Sequence, residues 1–189
     1  MSKIELKSEN VDAAYGIADD KEKRLLDALF GRKRKTPTLD DYTTIESYED
    51  ACEALDEPQE VFMDGIPDHI VALMKLETVS RALWGRNFQP KPDAEGKETY
   101  WWVWCALYTK QEIDNMSEED RGALLSASAG GGATAGFGSL HTNSRSSHSH
   151  ANVGFRLCQE TQEKARYFGR KFVRLWAEYL SFNFKIVEE

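Results

Sequence analysis

From Ser126 to Leu157 the chain reads SASAGGGATAGFGSLHTNSRSSHSHANVGFRL. Between Arg121 and Arg156 it holds one charged side chain, Arg145, and no proline. Segments this polar and this uncharged usually behave as linkers. This one is interrupted by Phe137 and Leu140 and ends on the apolar-anchored Val153-Gly154-Phe155-Arg156-Leu157. An aromatic segment precedes it and a strong helical segment follows. We read it as folded backbone, short strands and turns, whose 126–152 stretch presents short polar side chains on one surface. The candidate binding residues are Asn143, Ser144, Arg145, Ser146, His148, His150 and Asn152.

The flanking segments set the fold class. Leu25, Leu26, Leu29 and Phe30 fit one helical face after an acidic start at Asp19 and Asp20. Ser47 is placed to cap YEDACEAL, and Pro67 opens a helix through Trp84. The stretch from Asn87 to Lys97 holds two prolines and a glycine and reads as a loop. Tyr100 to Tyr108 (YWWVWCALY) is the strongest strand signal in the chain. Trp102 and Trp104 share one of its faces, Trp101 and Val103 the other. Ala165, Phe168, Phe172, Leu175, Trp176 and Tyr179 recur at helical spacing, and Thr161 marks the start of that helix. Helices, then strands, then a helix predict an α+β fold, with helices packed on a small antiparallel sheet and a long C-terminal amphipathic helix. Residues 1–18 read as a flexible N-terminal arm and 19–189 as one domain. The expected structural residues are Trp102, Trp104, Gly154, Arg156, Phe172 and Trp176. Gly154 would allow close backbone approach, and Arg156 paired hydrogen bonds to a carboxylate or to carbonyls.

Charge and composition exclude several function classes. A net charge of −8 argues against a nucleic-acid partner, which calls for clustered Lys and Arg. Arg32-Lys33-Arg34-Lys35 is a local exception, read as a solvated helix end. Cys52, Cys105 and Cys158 are odd in number and show no CxxC spacing, so neither a disulfide framework nor a zinc site is expected. The opening MSKIELKSEN lacks an apolar core, so no signal peptide is expected, and no apolar run reaches spanning length. We expect no membrane partner and a cytoplasmic or virion-associated protein.

The tract also carries weak echoes of chemistry. His148 and His150 would share a face on a strand, but no acid or cysteine in the tract completes a metal site, and none is expected. The glycines at 130–132, 136 and 138 lack the Lys and the strand–loop–helix setting of a phosphate loop. Serines and histidines abound between 139 and 150 without a GxSxG or an acid to orient them. Glu118, Glu119 and Asp120 read as helix-start charges. No catalytic residue and no cofactor are expected.

The segments KLETVSRALWGRNFQP, YWWVWCALYT, NVGFRLC and ETQEKARYFGRKFVRLWAEYL, spanning about residues 66–182, resemble a family of small uncharacterised proteins from phages and prophages of gut Bacteroidales. Trp84-Gly85 stands where that family has Gly-Trp, and Trp102-Val103-Trp104 where it has Pro-Trp-Phe. The polar tract running into Val153-Gly154-Phe155-Arg156 also resembles the end of C-type-lectin-like variable domains of diversity-generating systems. These resemblances imply a non-enzymatic phage-type binding or structural protein with an unidentified protein or small-molecule ligand. A sheet with aromatic faces can also pair into homo-oligomers. The alternatives are a cytosolic host-modulating factor that binds a small molecule or a host defence protein, and a metal-dependent enzyme. A pocket lined by Trp102, Trp104, Arg145 and His148 would favour the host-modulating factor, and a flat exposed surface the binding module.

Overall fold

β-branched and aromatic side chains in TYWWVWCALYT drive the longest unbroken apolar strand, β1 (Thr99–Thr109). In the computed structural model β1 pairs antiparallel with β3 (Thr134–Ser146), which pairs with β2 (Leu125–Ser128), which in turn pairs with β4 (Lys185–Ile186). The structure describes residues 10–11, 14, 18, 20–30, 35–59, 64–91, 93–128, 134–147, 155–181 and 184–187, with the side chains of 20, 21, 23, 24 and 134 set aside. His148, His150, Asn152 and Gly154 lie outside the described residues.

The chain divides into two compact units, Met1–Thr36 and Pro37–Glu189. In the first, α1 (Asp20–Phe30) begins on an acidic residue, as expected from its sequence. In the second, α2 (Tyr48–Leu55) starts where the Ser47 side chain accepts from the Asp50 amide. α3 (Asp68–Trp84) follows Pro67 and ends at Gly85, whose φ of 75° suits glycine. Two one-turn helices, α4 (Lys110–Asp114) and α5 (Glu118–Gly122), join β1 to β2, each capped by a hydroxyl, Thr109 and Ser117. A 3-10 turn at Phe155–Leu157 leads to α6 (Gln162–Lys171) and α7 (Val173–Leu180). The fold is therefore α+β, helices on one antiparallel sheet.

The C-terminal amphipathic segment runs as two helices that meet at Phe172, where ψ rises to 28°. The apolar stripe survives the break. Ala165, Phe168, Phe172 and Trp176 are all buried, and Phe168 stacks edge-on against both Phe172 and Trp176. Phe168, Phe172 and Trp176 join Leu76, Val79 and Leu83 of α3 and Phe137 of β3 in the main core.

The glycine- and serine-rich tract departs from the expectation of short strands and turns. Its described part holds the end of β2, then β3, a long strand of 13 residues, and the 3-10 turn at Phe155–Leu157. Neighbours press on it too closely for larger side chains. A methyl group at Gly138 would lie 2.5 Å from Leu124, and one at Gly136 2.9 Å. On the opposite face α6 comes in through Gly169, where a methyl group would collide with Ser139 and lie 2.9 Å from Val103. Small residues are the condition for packing both faces of β3, so low side-chain volume here means burial rather than a linker.

Candidate functional site

The face of the sheet away from α6 carries the candidate site. Alternation along β1 puts Tyr100, Trp102 and Trp104 on it, while Val103 points toward α6. β3 places Arg145 opposite Tyr100, Asn143 opposite Trp102 and His141 opposite Trp104. The register then shifts: Ser139 and Leu140 of β3 together face Cys105, and pairing resumes at Ala106 with Gly138. Such a bulge adds one residue to one strand and bends it. Without it, every β3 side chain beyond would change faces.

Two covers close the ends of this face. At one end Phe155 packs on Tyr100 (ring centroids 5.9 Å apart) and Trp102 (6.2 Å), and Phe88 on Tyr100 (5.5 Å). With Cys158 they form a second, smaller core. At the other end Ile113 of α4 and Leu124 lie over Gly136 and Gly138. Arg170 of α6 ties this end down through Glu119 (3.2 Å) and Asp120 (2.5 Å). These two acids, placed at a helix start, thus also hold an arginine. Between the covers Trp104 is 52% exposed and His141 is exposed beside it.

The polar neighbours are held in place. The Asn143 Oδ1 accepts from the Ser144 amide (2.9 Å) and from Arg145 Nη1 (2.7 Å). The same Nη1 donates to the Ser144 carbonyl (2.8 Å). Arg145 is exposed, and only its Nη1 bonds a described residue. The arrangement offers an aromatic plate, an imidazole, an amide and a guanidinium on one rigid ladder. It suits stacking and planar hydrogen bonding.

Several sequence expectations change. Trp104, expected to be structural, is half exposed because the Phe155 and Phe88 cover stops at Trp102. The expected polar display over 126–152 does not extend to residues 135–140, all buried. Ser146 is turned to structure: its hydroxyl donates to the Gly96 carbonyl (3.0 Å). Ser147, buried, donates its amide to the Glu98 carbonyl (2.7 Å). Ser144 is half-buried on the α6 side of the strand. Asn143 and Arg145 remain, joined by His141 and Trp104. Arg156 is an exposed residue whose guanidinium pairs with the Glu77 carboxylate of α3. Trp102, Phe172 and Trp176 are core. Phe88 gives no signal in the sequence, sitting as it does in a proline-flanked loop.

A cleft of about 760 Å³ opens beside the covered end, bordered by Phe88, Lys91, Asp93, Glu98, Tyr100 and Glu160. The Tyr100 hydroxyl donates to Glu98 Oε2 (2.7 Å) and accepts from the Lys91 amide (3.1 Å). Burial, then the Glu98 carboxylate, hold this phenol above its ordinary range. Burial also pushes Cys105 and Cys158 up to about 12, so both are thiols at neutral pH. Among the described residues no group of three His, Cys, Asp or Glu could hold a metal ion.

No family model, curated protein or solved structure matches the chain.

Proposed function

We propose that this chain is a non-enzymatic binding module of phage or prophage type, whose ligand docks on the open window of the β1–β3 face. One observation carries the reading: a half-exposed tryptophan, Trp104, stands between two packed covers beside a pre-clamped Asn143–Arg145 pair. An exposed Trp costs free energy in water unless something covers it. Trp and Arg on rigid backbone are the residue types that dominate binding energy. Clamping Arg145 in advance lowers the ordering cost of binding. Neither Trp104 nor Arg145 lines the cleft at Tyr100, which favours a protein surface over an enclosed small molecule. The phage setting is supported by the sequence resemblance alone. It gives a virion-associated or host-interaction role.

The test is capture from a lysate of a gut Bacteroidales host. Tagged wild type retains a partner that Trp104→Ala and Arg145→Ala both lose, while Ser128→Ala, away from the window, keeps it. Equal capture by all four proteins, or by none, refutes the reading.

A further inference from the structure

β1 lies at an edge of the sheet. It pairs with β3 on one side, and on the other Trp101 meets Gln159: the Trp101 amide donates to the Gln159 carbonyl (3.0 Å), and the Gln159 amide to the Trp101 carbonyl (2.7 Å). Both backbone groups of Trp101 therefore turn outward. In an antiparallel ladder so do those of every second residue after it, Val103, Cys105 and Leu107. The bulge leaves this alternation intact, because its extra residue lies in β3. Among the described residues, no backbone hydrogen bond is made on that side by Val103, Cys105 or Leu107. The strand has none of the devices that usually shield an edge. Thr99–Thr109 holds no charged residue and no proline, and Leu107 joins Trp104 as a second open apolar side chain, 41% exposed. The sheet's other edge is shielded: β4 is two residues long, and one of them is Lys185.

We infer that the outer edge of β1 pairs with the same edge of a second copy of the chain, antiparallel about a two-fold axis at Cys105. In that register Trp104 lies opposite Ala106 of the second copy on one face, large beside small, and Leu107 lies opposite Val103 on the other. Moving the axis one residue either way sets Trp104 against Trp104 or Ala106 against Ala106, and the match of sizes is lost. About six backbone hydrogen bonds close the seam, shared between the Cys105 pair and the two Val103–Leu107 pairs. Charge also favours a second copy at this place. The chain carries −8, so two copies repel over most of their surface, and β1 is neutral from Thr99 to Thr109. The axis stands perpendicular to the sheet, so α6 of both copies lies on one side and both Trp104 windows on the other. The pairing goes beyond the window reading and does not rest on it.

The experiment is sedimentation velocity of the purified full chain over a series of micromolar concentrations, with amide exchange read at both ends of the series. Wild type passes from the 21.5 kDa chain to twice that mass as concentration rises. The amides of Val103, Cys105 and Leu107 exchange more slowly in the dimer. Leu107→Lys sets a charge on the edge, and Leu107→Pro removes an outward amide, which an edge strand tolerates. Each weakens dimerisation at least about tenfold, because each change counts twice across a two-fold seam. Leu180→Lys, at an exposed leucine of α7, keeps the dimer. Leu107→Lys alters an exposed side chain, so its monomer unfolds at the wild-type monomer's temperature, and the test stands on it where the proline variant does not fold. A wild type that stays monomeric at every concentration overturns the proposal and leaves the edge to a foreign strand. So does a dimer that Leu107→Lys retains, one that Leu180→Lys abolishes, or one that forms with exchange at Val103, Cys105 and Leu107 unchanged.

Discussion

Trp102 and Trp104 stand two residues apart on one face of one strand and differ only in what lies above them. Phe155 covers Trp102, leaving it 6% exposed; Trp104 is 52% exposed. Trp102→Ala should therefore cost roughly 3–5 kcal/mol. Trp104→Ala should cost under about 1 kcal/mol, the range of surface changes. Denaturant unfolding of the two variants measures both, and equal losses would place Trp104 in the core. The alternation that pairs these residues on one face is legible in the sequence. Their difference in burial is not, because the covering ring comes from Phe155, far along the chain. The same holds for the tract: Asn143 and Arg145 are readable as polar candidates, whereas nothing local distinguishes Ser146, bonded to Gly96, from a free serine.

At the scale of elements, helix-on-sheet contact depends on one missing side chain. Gly169 lets α6 approach Ser139 and Val103. Gly169→Ala should cost about 1–3 kcal/mol through overpacking, read as a lowered melting temperature. A neutral result would mean that α6 can slide outward freely. A second contact joins the segment after α2 to α3. Glu57 accepts from both terminal nitrogens of Arg81, at 2.6 and 2.7 Å. Hydrogen bonding to Arg81 holds the Glu57 carboxyl below its ordinary value. The pair's contribution is thus fully present above the unfolded carboxyl pKa and is lost as acid protonates Glu57 at its lower folded value. Both side chains are about a third or more exposed, so solvent screening keeps the contribution under about 1 kcal/mol. Glu57→Gln should lower stability by that small amount at neutral pH, with the difference vanishing in acid. A gap that persists in acid would assign the loss to packing. The capping hydroxyls at Ser47, Ser117 and Thr161 and the apolar stripe of α6 and α7 are legible in the sequence, since caps and periodicity are local. The break at Phe172 is not, since each half obeys the same period.

At the scale of the molecule, the core residues among those described all belong to the Pro37–Glu189 unit. A chain starting at Pro37 should keep the thermal unfolding temperature of the full chain. A large drop in that temperature would show that the first unit stabilises the second. Calorimetry of the two proteins makes the comparison.

Local regularities are determined by sequence alone: the helix starts and apolar stripes, the aromatic strand, the α+β order and the basic run beside an amphipathic helix. Each depends on residues within a few positions of one another, where periodicity and capping act. Only the tertiary structure decides that the small-residue tract is a core strand, that a bulge at Ser139–Leu140 sets the faces of β3, and that Trp104 stays open while Trp102 is closed. Those outcomes depend on how much volume distant residues leave above a given position. Close packing settles that over the whole unit, and no stretch of sequence carries it by itself.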